Sequence, residues 1–184
     1  RQLVAQTLRS KLGQQALKAG YGHSVRLFVE DHGRAPNAAQ FQQMAAASKR
    51  AQRAGVHILQ TGLIAHTADV LERGAWADKM LLDVPCSGTG VIRRDVDTKW
   101  KLQPEHLERT LQLQANILHR YPDALKPGGR LVYATCSILP EENEAQIDAF
   151  VKAQPQFTLE EQVRISPEHA HSDGYFVAVL QKMS

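Results

Sequence analysis

Short apolar runs alternate with amphipathic stretches along this chain, and the two patterns predict different elements. Short apolar runs bounded by glycine, proline or polar clusters are typical of β-strands. We predict strands at residues 25–30, 56–59, 79–84, 130–134, 157–159 and 175–180. The runs at 79–84 and 130–134 are apolar without alternation, which indicates strands buried on both faces of a parallel sheet.

Helical periodicity fills most of the intervening stretches. We predict helices at residues 4–18, 38–54, 104–125 and 140–153, with a helical turn or short helix at 67–73. Glycines follow the first two helices, and the turn at 126–129 (KPGG) ends the helix at 104–125. Glu141 and Glu142 fall in the first turn of the helix at 140–153, where negative charge suits the helix dipole.

This order of elements predicts an α/β fold. Strands that alternate with helices form a mostly parallel sheet with right-handed crossovers. The last two strands have no helical stretch between them, so we expect an antiparallel pair at one edge. With 184 residues the chain is long enough for one domain with a substantial core.

Composition narrows the class of protein only a little. Hydrophobic residues make up 43% of the chain, which is ordinary for a globular protein, and no apolar run approaches the ~20 residues of a membrane span. Residues 1–11 have the character of neither a secretory nor a transit peptide. A net charge of +3 is compatible with a polyanionic partner. We therefore expect a cytoplasmic protein without a membrane partner.

The two cysteines of the chain occupy equivalent positions. Cys86 and Cys136 each follow a strand-like run, and each precedes a serine. In a parallel α/β sheet, side chains at the carboxyl ends of strands line the ligand crevice. A thiol is a strong nucleophile only as the thiolate, and the helix at 140–153 could help Cys136 to ionise. Either cysteine alone is better explained as a small buried apolar residue. Both together favour nucleophilic catalysis, with one thiol as helper.

The residues around Cys86 suit a planar ligand. Asp83 ends its strand, and its carboxyl group could hydrogen-bond the edge of an amide-like ring. Pro85 fixes the chain direction, while Gly88 and Gly90 would let the backbone approach the ligand. The alternative is an ordinary strand end with a buried cysteine and a glycine turn.

A basic loop follows this turn. Arg93, Arg94, Lys99 and Lys101 surround Trp100, a composition that suits phosphate contacts beside an aromatic platform. The alternative is a solvated loop with the tryptophan folded into the core.

Acidic residues elsewhere are weaker candidates. Glu30 or Asp31 ends the strand at 25–30, where an acid can hold the ribose hydroxyls of a nucleotide. The alternative is an ordinary polar strand end. Asp69 is a further candidate, or a surface residue.

Several ordered motifs resemble those of the S-adenosylmethionine-dependent RNA cytosine-5 methyltransferases of the RsmB/NSUN type. The matching segments are residues 49–56 (KRAQRAGV), 83–90 (DVPCSGTG), 97–100 (DTKW), 126–129 (KPGG), 133–137 (YATCS), 140–144 (PEENE) and 172–178 (SDGYFVA). The match is dense from about residue 49 to the end of the chain. The resemblance implies a Rossmann-like class I methyltransferase fold with an antiparallel last strand.

The resemblance also implies a mechanism. Cys136 would add to C6 of a cytosine in ribosomal or transfer RNA, so that C5 can take the methyl group of S-adenosylmethionine. Cys86 would assist loss of the C5 proton and release of the product, and Asp83 would bind the base near N3 and lie close to the cofactor. DNA cytosine-5 methyltransferases use the cysteine of their Pro-Cys motif as the nucleophile instead. The second cysteine points to the RNA type.

The cofactor motif is where the chain departs from this family. The family carries a loop of the form Asp-x-Cys-Ala-x-x-Gly-Gly-Lys after its first strand. Counting back from the strand at 25–30, its place falls on residues 1–11, which offer Lys11 but neither the glycines nor the acid. Lys11, Glu30, Asp31, Asp69 and Asp83 are therefore the candidates for binding S-adenosylmethionine.

Two functions remain open from the sequence. The first is an RNA cytosine-5 methyltransferase whose RNA contacts come from Arg93, Arg94, Lys99 and Trp100. The second is a non-catalytic RNA-binding domain that retains the methyltransferase fold. A thiol oxidoreductase is disfavoured because no Cys-x-x-Cys motif is present. We expect one catalytic domain over residues 1–184, without a separate N-terminal RNA-binding domain or a metal site, and the sequence identifies no protein partner.

Overall fold

The structure, a computed structural model, describes residues 2–5, 24–30, 57–64, 68–71, 74–170 and 172–184, together with Ala45, Lys49 and Arg53. One sheet organises these residues. Its strands are β1 (Gln2–Ala5), β2 (Ser24–Glu30), β3 (His57–Ile64), β4 (Ala77–Asp83), β5 (Leu125–Thr135), β6 (Phe157–Ile165) and β7 (Tyr175–Lys182).

The order of the strands across the sheet is β3-β2-β1-β4-β5-β7-β6. Strands β1 to β5 run parallel, whereas β7 lies antiparallel between β5 and β6. The predicted neighbours at 79–84 and 130–134 pair in parallel, with Leu81 opposite Val132. The predicted antiparallel pair at one edge is also confirmed. The direction in which successive strands are added reverses between β1 and β4, which is where open α/β sheets bind their ligands.

Strand β1 corrects the helix predicted at residues 4–18. Val4 is paired with Leu27 of β2 on one side and with Leu81 of β4 on the other. The run of four residues is too short to show the alternation that marks a strand. Its backbone groups find hydrogen-bonding partners in the strands on both sides, which favours the extended conformation. Residues 6–18 of that predicted helix lie outside the described residues.

The described helices differ from those that the sequence predicted: three are shorter, and two short ones were not predicted. They are α1 (Ala68–Leu71), α2 (Thr98–Lys101), α3 (Pro104–Arg120), α4 (Glu144–Ala153) and α5 (Pro167–Ala170). Ala45, Lys49 and Arg53 are helical, as predicted for residues 38–54. Helix α3 ends at Arg120 and gives way to a 3-10 turn, Tyr121–Ala124, instead of continuing to residue 125. Helix α5 lies between β6 and β7, where no helix was predicted.

The turn at residues 126–129 does not end a helix but bulges out of strand β5. Leu125 pairs with Ala77 and Arg130 pairs with Lys79, so four residues stand opposite Asp78 alone. Gly128 has φ +73°, a conformation that favours glycine. Lys126 Nζ lies 2.7 Å from Asp78 Oδ1 across the bulge, and this hydrogen bond is the largest cause that holds the pKa of Asp78 below its ordinary value.

The core confirms that β4 and β5 are covered on both faces. Three consecutive residues are buried in each strand: Met80, Leu81 and Leu82 in β4, and Leu131, Val132 and Tyr133 in β5. Helices α3 and α4 contribute Ile117, Leu118, Ile147 and Phe150 to the same core. None of the helices in the described ranges has the length and apolar character needed to cross a membrane.

Candidate active site

The two thiols meet at the carboxyl edge of the sheet. Strands β4 and β5 end level with each other because Asp83 pairs with Ala134. Cys86 follows β4 after the extended Val84-Pro85 segment, and Cys136 follows β5 directly. Their Sγ atoms lie 3.2 Å apart, 50 positions apart in sequence, and both cysteines are free and half-buried. The structure thus brings the two candidate thiols within reach of one base.

The two thiols differ in acidity. A hydrogen bond from the Cys86 thiol lowers the pKa of Cys136, against an opposing contribution from burial. The same hydrogen bond, followed by burial, raises the pKa of Cys86 far above its ordinary value. Of the two thiols, Cys136 is therefore the one that ionises more readily.

The serine after each cysteine joins the two strand-end loops. Ser87 Oγ lies 3.2 Å from Ser137 Oγ, and Thr89 Oγ1 lies 3.0 Å from the same atom. The backbone N–H of Leu139 donates to Ser137 Oγ over 3.0 Å. The repeated Cys-Ser sequence thus builds a shared layer of hydroxyl groups beside the thiols.

Glu142 lies under this layer, and its position corrects the interpretation from sequence. It was expected in the first turn of a helix, where its charge would suit the helix dipole, yet the residue is 0% exposed and lies outside that helix. Its carboxyl group accepts hydrogen bonds from the backbone N–H of Ser87 (2.7 Å) and from the Ser87 hydroxyl (2.5 Å). Gln114 Nε2 donates to the same carboxyl group over 3.1 Å. Three donors compensate for the loss of water around this group.

Asn143 turns Glu142 inward by interrupting the helix predicted at 140–153. The chain forms a 3-10 turn, Pro140–Glu142, and Asn143 takes φ −113° and ψ −103° before α4 begins at Glu144. Its side chain accepts from Thr135 Oγ1 (2.6 Å) and donates to the carbonyl of Ser137 (3.0 Å). The interruption of the helix at Asn143 is stabilised by buried hydrogen bonds to residues outside the helix. The helical periodicity of the sequence therefore could not reveal it.

Three loops meet at Gly90. Its N–H donates to the carbonyl of Cys136 (2.9 Å), and its carbonyl accepts from the N–H of Gly174 (2.8 Å). A Cβ atom at residue 90 would lie 2.2 Å from the Gly174 carbonyl oxygen. The absence of a side chain at Gly90 thus admits the backbone of the neighbouring loops. Gly88, with φ +72°, provides the turn.

The basic loop after this junction is exposed. Trp100 is 75% exposed, so the alternative of a core tryptophan is wrong. Lys99 Nζ lies 4.8 Å from its ring centroid. Arg93 faces solvent, whereas Arg94 forms an ion pair with Asp173 (2.5 Å) and donates to the Tyr175 hydroxyl (3.3 Å).

The acidic candidates lie on different elements. Asp83 ends β4, is half-buried, and lies close enough for its charge to act on Cys136. Glu30 is the last residue of β2, and Asp69 lies in α1. Lys11 and Asp31 lie outside the described residues. Across the described ranges, no three histidine, cysteine, aspartate or glutamate side chains cluster as metal ligands.

Sequence reasoning missed Gln114, Glu142 and Asn143 as parts of the site. One signal was present: Gln114 shares a helix face with Ile117 and Leu118, and all three are buried. A polar residue on an otherwise apolar stripe needs a buried partner. The identity of that partner, 28 positions away, was not readable from the chain.

The strand order, the antiparallel β7 and the thiols at the carboxyl edge define a Rossmann-like methyltransferase fold. Solved structures share it. PH0851 superimposes with a TM-score of 0.77 at 26% identity, covering 98% of this chain and 42% of that one. NSun6 from Pyrococcus horikoshii, solved with SFG, gives a TM-score of 0.71 at 23% identity, covering 100% of this chain and 48% of its own.

The chain belongs to the 16S rRNA methyltransferase RsmB/F family, whose model matches residues 34–181. It is 49% identical over 105 residues to ribosomal RNA small subunit methyltransferase B of Proteus mirabilis, covering 57% of this chain and 25% of that protein. The Klebsiella pneumoniae protein is 48% identical over 114 residues, covering 57% and 26%. The chain spans about a quarter of the length of these relatives. The resemblance found in the sequence is confirmed.

Proposed function

We propose that this chain carries the catalytic site of an enzyme that methylates C5 of cytosine in ribosomal RNA, through a covalent bond between Cys136 and the base. The observation that carries the proposal is the thiol pair, with Sγ atoms 3.2 Å apart and Cys136 the more acidic. Membership of the RsmB/F family supports ribosomal RNA as the substrate.

Cys136 is suited to the first step. Its thiolate adds to C6 of the cytosine, an S–C6 bond forms, and the electron pair displaced from the ring makes C5 nucleophilic. Asp83, at the end of the adjacent strand, would in its protonated form donate a hydrogen bond to N3 of the base and so stabilise the negative charge that develops there. S-adenosylmethionine, when bound, supplies the methyl group to C5.

Cys86 is suited to the last step because its acidity depends on Cys136. In the free site, the hydrogen bond to Cys136 and the charge of Cys136 both raise the pKa of Cys86. Once Cys136 is bound to carbon, the thiolate that caused both effects has gone. Cys86 can then lose its proton to solvent and, as a thiolate, take the C5 proton while the S–C6 bond breaks. Cys86 therefore becomes a general base only after the covalent adduct between Cys136 and the cytosine has formed.

The backbone arrangement fits a nucleoside-type cofactor beside this site. The reversal of strand order lies between β1 and β4, and Asp83 ends β4. Glu30 ends β2 on the other side of β1. Carboxyl groups at such strand ends hold ribose hydroxyls in dinucleotide-binding sheets. We propose Glu30 and Asp83 as cofactor-binding residues, and Asp31, Asp69 and Lys11 as further candidates.

The exposed basic loop suits the RNA. Arg93 and Lys99 are free to reach phosphates, and the exposed face of Trp100 can stack on a base. Arg94 is engaged by Asp173 and Tyr175, so its charge orients the loop as well as attracting phosphate.

Replacing each cysteine by alanine tests the proposal. Cys136→Ala should abolish methylation of unmethylated 16S rRNA and leave no covalent adduct, because no thiol attacks C6. Cys86→Ala should permit attack but hinder elimination. A protein–RNA species that survives denaturing electrophoresis should then accumulate.

Two results would contradict this assignment. An adduct with Cys136→Ala in place of Cys86→Ala would reverse the roles of the thiols. Binding of RNA by the wild-type protein without binding of S-adenosylmethionine would instead indicate a non-catalytic RNA-binding domain.

A further inference from the structure

Two side chains from outside the sheet hold the peptide groups on either side of Cys86. Gln114 of α3 donates through Nε2 to the carbonyl of Pro85 over 2.8 Å. Glu142 accepts from the backbone N–H of Ser87 over 2.7 Å. The same Gln114 Nε2 also donates to Glu142 Oε1 over 3.1 Å, so the two side chains are linked to each other.

Burial makes this arrangement rigid. Gln114 and Glu142 are both 0% exposed. Both neighbours of the Gln114 amide, the Pro85 carbonyl and the Glu142 carboxyl, are acceptors, which fixes the orientation of the amide. In a site closed to water, each of these hydrogen bonds would be costly to break because no water can replace the lost partner.

We propose that Gln114 and Glu142 are positioning residues that clamp the Pro85-Cys86-Ser87 segment and thereby set Cys86 Sγ against Cys136 Sγ. The inference rests on the proposed function, because it assigns these residues to the step that Cys86 performs. Neither residue touches the base. They act through Cys86, whose Sγ must stay within hydrogen-bonding distance of Cys136 in the free site and of the C5 proton in the adduct.

The clamp has a consequence that a purely structural role would not have. Loss of the clamp should impair elimination, which needs Cys86, more than attack, which needs Cys136. The acidity of Cys136 should also change, since it depends on the hydrogen bond from Cys86. Among the described residues, Asp83, Glu142 and Tyr175 also interact electrostatically with Cys136.

Gln114→Met is the diagnostic variant because it keeps the length of the side chain and changes no charge. We expect turnover to fall roughly 10- to 100-fold, with accumulation of the covalent protein–RNA adduct as in Cys86→Ala. Without RNA, the pH midpoint for alkylation of Cys136 by iodoacetamide, followed by peptide mass spectrometry, should rise. Gln112→Met, at an exposed position of the same helix, is the matched control and should behave as wild type.

Glu142→Gln is the second variant, with the neighbouring exposed Glu141→Gln as its control. The amide keeps one oxygen for the Ser87 N–H but presents an NH2 group to the Ser87 hydroxyl. It should therefore retain more elimination than Glu142→Ala. The adduct is the readout here, because removing the charge of Glu142 lowers the pKa of both cysteines and opposes the effect of the clamp on alkylation.

The outcomes separate the clamp from the function itself. Thermal melting by circular dichroism first establishes that each variant is folded at the assay temperature. If Cys86→Ala accumulates the adduct while folded Gln114→Met and Glu142→Ala turn over as wild type, the clamp is refuted and the function stands. If Cys86→Ala accumulates no adduct, the proposed function fails, and only the alkylation midpoint in Gln114→Met decides the clamp. The clamp is refuted if the pH midpoint for alkylation of Cys136 is raised in Cys86→Ala but unchanged in Gln114→Met.

Discussion

At the scale of the residue, one functional group acquires two different acidities because of its neighbours. Cys86 and Cys136 carry the same thiol, and both are half-buried. Burial raises the pKa of each, but the hydrogen bond between them lowers the pKa of Cys136 and raises that of Cys86. The more acidic thiol is thus selected by the pair, since neither residue type nor exposure distinguishes the two.

This difference predicts how the thiols react with an alkylating reagent. Cys136 should become reactive at a lower pH than an ordinary thiol, whose pKa is about 8.5. Cys86 should stay unreactive over the same range. Removing the donor in Cys86→Ala should raise the midpoint for Cys136, because the hydrogen bond that stabilised its thiolate is lost.

The rate of iodoacetamide labelling at each cysteine, measured against pH by peptide mass spectrometry, tests this prediction. Cys136→Ala serves as the control for the reactivity of Cys86 alone. Earlier labelling of Cys86 than of Cys136 in the wild-type protein would show that the proton lies on the other sulfur.

At the scale of the element, the site depends on loops that are fixed to one another. The loop after β4 bonds to the loop after β5 through Gly90 and Cys136, and to the segment before β7 through Gly174. Asn143 adds a second attachment through the Ser137 carbonyl. The strand ends are therefore held more firmly than loops that contact only solvent.

Gly90→Ala should disrupt this junction. The new methyl group would lie 2.2 Å from the Gly174 carbonyl oxygen and 2.8 Å from that of Cys136, and backbone atoms cannot swing aside. We expect a loss of about 1–3 kcal/mol in the free energy of unfolding, together with a loss of methylation larger than that instability explains, since Cys136 itself must move.

Gly74→Ala is the comparison. Nothing lies within 4 Å of its added methyl group, but φ is +62° there, so only backbone strain of about 1–2 kcal/mol applies. Chemical denaturation of both variants, with activity measured in parallel, distinguishes them. Normal activity in Gly90→Ala would show that the junction does not position Cys136.

At the scale of the whole molecule, the sheet and its helices carry the stability, and the surface ion pairs add little. Met80 of β4 is 0% exposed and belongs to the core. Arg164 of the edge strand β6 pairs with Glu144 over 2.5 Å, but its side chain is 40% exposed. Charged residues on an edge strand also discourage pairing with another chain.

Met80 and Arg164 should respond differently to replacement by alanine. Met80→Ala should lower the free energy of unfolding by about 2–5 kcal/mol, because it removes buried methylene groups and leaves a cavity. Arg164→Ala should cost less than about 1 kcal/mol, since water screens the pair. Urea denaturation at low and high salt tests both. A larger loss for Arg164→Ala than for Met80→Ala would assign the stability to the surface.

The sequence by itself predicted strands β2 to β7, the parallel β4–β5 pair and the antiparallel β6–β7 edge. Periodicity and burial pattern are local properties, and the rules for connecting strands leave few topologies. The sequence also placed Cys86 and Cys136 at strand ends, because each follows an unbroken apolar run. Since parallel strands end at one edge, the meeting of the thiols followed from these local facts.

Only the tertiary structure decided the features whose partners lie far away in the chain. Strand β1 exists because β2 and β4 flank it, and its four residues carry too little pattern to show this alone. Glu142 is buried because Ser87, 55 positions away, supplies its donors. The acidity of Cys136 depends on a thiol 50 positions away. Hydrogen bonds and charges act through space, so the chemistry of the site was settled only when the strand ends came together.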